Sequence, residues 1–292
     1  MNYRVVHKTK YEYSGAVGLC HNEARLQPRE LPNQHCFKSI VEIDPVPADY
    51  LERRDFFGNR VAYFSIQQAH GSLVITATSD LSINPQQNLF EFGTDPAWEI
   101  VRDRLWSDLS PNTIEAMQFT LDSPMIHTNE TLAAYGQPSF PPGRSMLEGV
   151  RDLMQRIYSD FTYDPEFTSI ATPLSEVLQH RRGVCQDFAH LGIGCLRAQG
   201  LAARYVSGYL ETLPAPGKEK LVGADASHAW FSVYSPAAGW VDFDPTNNQM
   251  PSEQHITVAW GRDFSDVTPL KGVAFGGGEH QLEVSVDVAK IA

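Results

Sequence analysis

The chain has 292 residues, a formal net charge of −12 and an apolar fraction of 42%. That length suits one large or two medium domains with a sizeable core, and the acidic balance disfavours nucleic acid or an anionic membrane as the main partner. No run approaches the roughly 18 apolar residues of a membrane span, the first residues lack a signal-peptide core, and four scattered cysteines make no disulfide scaffold; a cytoplasmic location, where a working thiol stays reduced, is expected.

Residues 1–92 read as a β-rich domain. Tyr3, Val5, His7, Thr9 and Tyr11 share one parity of an alternating run, and Phe37, Val41 and Ile43 share a face of the next. Phe56-Phe57-Gly58-Asn59-Arg60-Val61 reads as a tight hairpin flanked by residues 51–57 and 61–66, and 73–78 is a short buried strand. Short strands separated by turn signals predict a β-sandwich. Its expected role is to pack on the rest of the chain or shape one wall of a cleft. Cys20-His21 and His35-Cys36 invite a zinc reading. Adjacent strand residues point to opposite faces, so each pair offers one ligand at best, and buried cysteines with turn histidines are the simpler expectation.

From Asp95 the pattern turns helical. The spacing predicts helices over 96–106 and 123–135, with Asp95 and Ser123 as N-caps and Pro96 and Pro124 in the first helical position. A further helix is predicted over 145–161, with Met146, Val150, Leu153, Met154 and Ile157 on one side, and a short one over 174–180. After Arg181-Arg182-Gly183-Val184, Cys185 opens another helix, whose apolar positions Phe188, Leu191, Gly192, Cys195 and Leu196 follow one-sided spacing. Cys195 belongs to the core. Cys185 sits where unpaired N–H groups and the helix dipole favour a thiolate, beside two arginines. Asp187 is expected to cap this helix or pair with Arg204, and His190 to be turned away from the thiol.

A strand over 203–210 follows, then a Pro-rich loop over 213–220 that would overhang the cleft. Next come two aromatic and β-branched runs around Ser235-Pro236-Ala237-Ala238-Gly239, which predict a hairpin. Parity places His228 on the same face as Asp244, within side-chain reach, although Asp242 shares that parity. A carboxylate beside an imidazole fixes its tautomer and stabilises its charged form, so Cys185, His228 and a carboxylate make a nucleophile, a base and an orienting group. The chain closes with a glycine hinge at 276–278 and an alternating strand, Leu282, Val284, Val286 and Val288, expected to return to the first sheet.

Four segments now in view resemble the bacterial transglutaminase-like cysteine peptidase superfamily. They are Gly183-Val184-Cys185-Gln186-Asp187-Phe188-Ala189-His190, Arg204-Tyr205-Val206-Ser207-Gly208-Tyr209, Ala226-Ser227-His228-Ala229-Trp230 and Gly239-Trp240-Val241-Asp242-Phe243-Asp244-Pro245-Thr246-Asn247. The run Asn22-Glu23-Ala24-Arg25-Leu26-Gln27-Pro28-Arg29 is similar to the amino-terminal domain that accompanies this core, and 259–267 to its carboxyl-terminal extension. The resemblance implies an α+β fold, with a papain-like, transglutaminase-like core at 93–255 between the β-rich domain and an extension at 256–292. It places the third catalytic residue at Asp244, completing Cys185, His228 and Asp244.

The chemistry then expected is attack of the thiolate on an amide carbonyl, with a thioester released by water or by an amine. The backbone N–H of Cys185 would stabilise the oxyanion. Gln179, at a spacing similar to papain-like enzymes, and Tyr163 are candidates for a second donor; for Gln179 a plain polar residue of its short helix is the favoured reading. Hydrolysis of a peptide or protein amide is the leading expectation. Transfer to an amine, or a binding module on an inactive fold, are the alternatives. No cofactor is expected, and no loop has the run of oxygen ligands a calcium site needs.

Overall fold

The computed structural model describes residues 1–84, 92–167, 172–211 and 227–291. The loop expected over 213–220 lies outside these residues.

Five strands open the chain: β1 (Asn2–Ala24), β2 (Gln34–Asp44), β3 (Asp49–Arg54), β4 (Arg60–Ile66) and β5 (His70–Ile83). They run in the order β2-β5-β1-β4-β3, all antiparallel. β1 is shared. Its first half pairs with β5, and its second half, beyond a register break between Glu12 and Val17, pairs with β4. Leu73, Ile75 and Ala77 of β5 then meet Ala62, Phe64 and Ile66 of β4 in one apolar cluster. The expected sandwich is thus a single sheet that closes on itself through a strand common to both layers. In β2 the face predicted for Phe37 is not kept. A register shift between Cys36 and Lys38 leaves Phe37 exposed, while Val41 and Ile43 still pack on the cluster.

The helices are α1 (Trp98–Ser107), α2 (Pro111–Met117), α3 (Glu130–Gly136) and α4 (Met146–Asp160). Asp95 does not cap α1. Its carboxylate takes the Ser145 hydroxyl and the Leu147 N–H, so it holds the start of α4 instead. Nor is 123–135 one helix. Ser123 and Ile126 close a turn, Asp263 takes the Met125 N–H, and α3 begins only after Asn129, which accepts from Leu132 N–H at 3.0 Å.

Beyond α4 come β6 (Thr162–Tyr163), α5 (Leu174–His180), β7 (Arg182–Gly183) and α6 (Cys185–Ala198). α6 packs across β8 (Ala203–Leu210) and β9 (Ser227–Ser235), which with β10 (Gly239–Phe243) and β11 (His255–Gly261) form a second sheet in the order β10-β9-β8-β11. A short α7 (Phe264–Val267) leads to β12 (Leu270–Gly276) and β13 (His280–Ile291). Gly276, Gly277 and Gly278 turn between them at φ of 96°, 86° and 67°, values an L side chain rarely adopts. β13 then pairs with β1 from Asn2↔Ile291 to Tyr13↔His280, so the two ends of the chain share one sheet. The residue at which the extension was expected to begin, 256, lies inside β11.

The two sheets are joined by specific polar contacts. The Gln34 amide exchanges two hydrogen bonds with the backbone of Thr257, at 2.8 and 2.9 Å, so it serves β11 as a substitute for a neighbouring strand. Tyr3 donates to Glu211 at 3.2 Å, and His7 Nδ1 lies 3.0 Å from the Tyr209 hydroxyl. Arg29 and Arg204 stack on Trp260, at 3.5 and 3.7 Å from its centroid.

Candidate active site

The site begins with a helix start. Val184 is extended and α6 opens at Cys185. Asp187 accepts the Val184 N–H at 2.9 Å, so the carboxylate closes the first turn and leaves the thiol at its N-terminal end. Gly183 makes room for this, because a Cβ there would lie 2.8 Å from Asp187 Oδ2. Of the two roles expected for Asp187, the cap is the one formed. Arg204 instead lies between the rings of Trp240 and Trp260.

The second part comes from the hairpin. Tyr234 pairs with Trp240 and Ser232 with Asp242, a register that carries the chain just past β10 back to His228. His228 Nε2 lies 2.7 Å from Asp244 Oδ2, and Cys185 stands near enough to the imidazole to raise its proton affinity. Burial alone would lower the imidazole's proton affinity. The bond to Asp244, with Cys185 nearby, outweighs that and pushes it up to about 10. The opposite balance holds at Asp244: burial opposes its ionisation, yet the donors from His228 and His255 hold it well below the usual carboxylate range. Asp242 lies opposite Ser232 and its charge acts on Arg204, so it is not the partner of His228.

Asp244 is the best-served group of the site. Oδ2 also accepts from Asn247 Nδ2 at 2.8 Å and from His255 Nε2 at 3.1 Å, and Oδ1 accepts the Thr246 and Asn247 N–H groups. The sequence reading did not single out His255. A histidine that opens the apolar run after Asp-Pro-Thr was the available signal, but nothing local shows that β11 lies close enough to reach Asp244. His228, Asp244 and His255 are also the one trio among the described residues with metal-ligand spacing. Their hydrogen bonds account for the arrangement without an ion. Cys20 and His70 approach at 3.8 Å and His35 faces Glu30, so neither Cys–His pair forms a cluster of ligands.

Other predicted residues fall apart from the thiol. Gln179 lines a different cavity, with Tyr135 and Arg156. His190 is buried, accepts the Phe264 N–H at 3.1 Å and is pushed down to about 4, mainly by burial. Cys195 is fully buried in the core, which raises its thiol to about 12. Tyr163 is half exposed. Burial first, and then the charge of Cys185, raises its hydroxyl, so it stands near the thiol. Cys185 and His228 open into a cavity of about 420 Å³ that is also lined by His7, Thr9 and Tyr11 of β1 and by Leu282 and Val284 of β13. The amino-terminal sheet therefore shapes one wall of the cleft.

This geometry belongs to a known class. Residues 3–82 match the bacterial transglutaminase-like N-terminal region, and residues 136–245 match the transglutaminase-like superfamily. An uncharacterized protein of Mycobacterium tuberculosis is 44% identical, over 98% of this chain and 92% of its own length. A crystal structure from Cytophaga hutchinsonii, described as a candidate cysteine protease, superposes with a TM-score of 0.77 at 20% identity, over 99% of this chain and 90% of that one. A protein-glutamine gamma-glutamyltransferase of Pseudomonas aeruginosa is 34% identical, over 44% of this chain and 20% of its own length. The chain belongs to the transglutaminase-like superfamily, a family of cysteine-based hydrolases and acyl transferases.

Proposed function

We propose that the protein is a cysteine hydrolase of peptide or protein amide bonds, working through Cys185, His228 and Asp244. The observation that carries this reading is the chain of contacts from a thiol at a helix start, through a buried imidazole, to a carboxylate at 2.7 Å. His228 holds a proton that Cys185 gives up, and Asp244 holds His228 in the tautomer and orientation that exchange requires. The thiolate attacks the carbonyl carbon, and the Cys185 N–H faces the oxyanion, with Tyr163, whose hydroxyl feels the charge of Cys185, as the candidate second donor. The imidazolium protonates the leaving amine, and a thioester remains. Water, activated by the now neutral His228, releases the acid and restores the thiol. The reaction needs no cofactor, and a reducing compartment such as the cytoplasm suits the thiol.

A second reading is favoured by the gamma-glutamyltransferase relative: an amine, rather than water, resolves the thioester. A library of peptides incubated with the protein, with and without a primary amine, separates the two readings by mass spectrometry. Hydrolysis adds the mass of water at the cleaved bond whether or not amine is present. Transfer gives the amine adduct as the main product. No product from any peptide, with no acyl adduct on Cys185, contradicts both.

A further inference from the structure

We infer that the amino-terminal sheet selects the acyl part of the substrate, and that it selects a residue with an uncharged, apolar side chain. The inference rests on the cysteine acyl-transfer reading above and assigns a substrate class to that site.

The argument starts from strand parity. Odd-numbered residues of β1 face the second sheet and meet β13 in register: Val5↔Val288, His7↔Val286, Thr9↔Val284 and Tyr11↔Leu282. The inner pairs are buried at the contact between the sheets, where His7 reaches Tyr209. The outer two pairs extend past that contact and line the cavity shared with Cys185 and His228. Leu282 and Val284 stay 53% and 48% exposed, an unusual state for the inward face of a paired strand. Leu270 and Phe264 continue the same apolar surface.

Charge completes the argument. Among the described residues lining this cavity there is no Asp, Glu, Lys or Arg, although the chain has 58 residues of those types, 23 basic and 35 acidic. A charged side chain entering it would lose water and meet, among these residues, no charge beyond His228, which Asp244 already pairs, while an apolar one would cover Tyr11, Leu282 and Val284. The acyl group is the part of the substrate that stays attached to Cys185 through both chemical steps. A wall of the cavity into which the thiol opens therefore acts on it in both.

The test uses the whole protein and two irreversible probes, acetyl-Phe-chloromethyl ketone and acetyl-Asp-chloromethyl ketone, with second-order rates read as modification of Cys185 by peptide mass spectrometry. Iodoacetamide, which needs only a reactive thiolate, provides the reference rate. In the wild type the Phe probe should react at least about tenfold faster than the Asp probe. With each rate taken relative to iodoacetamide in the same variant, Leu282→Lys should slow the Phe probe and speed the Asp probe; Tyr11→Ala should slow the Phe probe alone. Equal rates for the two probes, or an unmoved ratio in Leu282→Lys while iodoacetamide alkylation still depends on His228, overturns the inference and leaves the cysteine chemistry standing. If alkylation does not depend on His228, the underlying reading fails and the inference fails with it.

Discussion

His228 and His255 donate to the same oxygen of one carboxylate, Asp244 Oδ2, at 2.7 and 3.1 Å. Ser252 N–H points at His255 Nδ1 at 3.4 Å, which leaves the His255 proton on Nε2, facing Asp244. His255 thus holds the same carboxylate oxygen as His228. Replacing His255 with Ala removes a donor to a buried charge and frees Asp244 to turn. Turnover of any peptide substrate should fall by about tenfold or more, the equivalent of one charge-assisted hydrogen bond. His255→Asn, which keeps a donor, should recover part of the loss. Wild-type rates in both variants would show that His255 only fills space.

Gly208 supports the same arrangement from below. It lies opposite His228 in the β8–β9 ladder, and a Cβ there would sit 2.1 Å from the Ile256 carbonyl and 2.6 Å from the Trp230 ring. Trp230 in turn packs edge-on against His255, at 5.3 Å between centroids. Gly208→Ala should therefore cost about 1–3 kcal/mol, read as a lower urea midpoint, and should slow Cys185 chemistry by displacing Trp230. An unchanged midpoint would mean the strands part more easily than their contacts indicate.

The joint between the sheets makes a separate prediction. Gln34→Ala leaves the outward N–H of Thr257 without its partner, and Gln34→Glu replaces a donor with a second acceptor facing the Thr257 carbonyl. Each should destabilise the protein by about 1–3 kcal/mol. Hydrogen exchange should rise first along β11. Exchange that rises only in β2 would place the weakness elsewhere.

Acid should weaken the fold through two buried histidines. His7 and His190 are each pushed down to about 4, chiefly by burial, whereas an unfolded histidine takes up its proton near 6.5. Between those values the unfolded chain binds more protons, so stability falls as pH drops, by up to about 1.4 kcal/mol per pH unit for each histidine. Asp244 adds nothing to the slope in this window, because its depressed carboxyl keeps its contribution above about pH 4 and loses it only below. His228, raised, contributes fully below about 6.5 and loses that contribution as pH climbs toward 10. Urea midpoints between pH 4.5 and 6.5 should therefore fall less steeply in His7→Gln than in the wild type. Parallel slopes would exclude His7 as a source.

Much of this was legible in the chain because the decisive groups sit on regular elements. One-sided spacing located α6 and so the environment of Cys185, and strand parity brought His228 and Asp244 to one face. What was not legible depended on contacts between distant segments. Asp95 and Ser123 have the chemistry of N-caps, but Asp95 is taken by Ser145 and Leu147, and Ser123 by Arg197, so neither caps the helix that follows it. Parity also could not separate Asp242 from Asp244; only the family resemblance pointed to Asp244, and the hairpin register sets Asp242 opposite Ser232. His255 was invisible for the same reason. Its partner is reached across three strands of a sheet whose order, β10-β9-β8-β11, local pattern does not encode.

The most direct test of the account is the alkylation of Cys185 by iodoacetamide at pH 6, where an ordinary thiol is almost wholly protonated. Cys195, fully buried, serves as the internal control for unfolding. If His228 holds the proton that Cys185 releases, Cys185 reacts much faster than free glutathione in the wild type, and His228→Ala brings it down to the glutathione rate or below, with Cys195 untouched in both. A Cys185 that reacts no faster than glutathione, or one indifferent to His228, contradicts the cysteine–histidine pair on which the proposed chemistry depends.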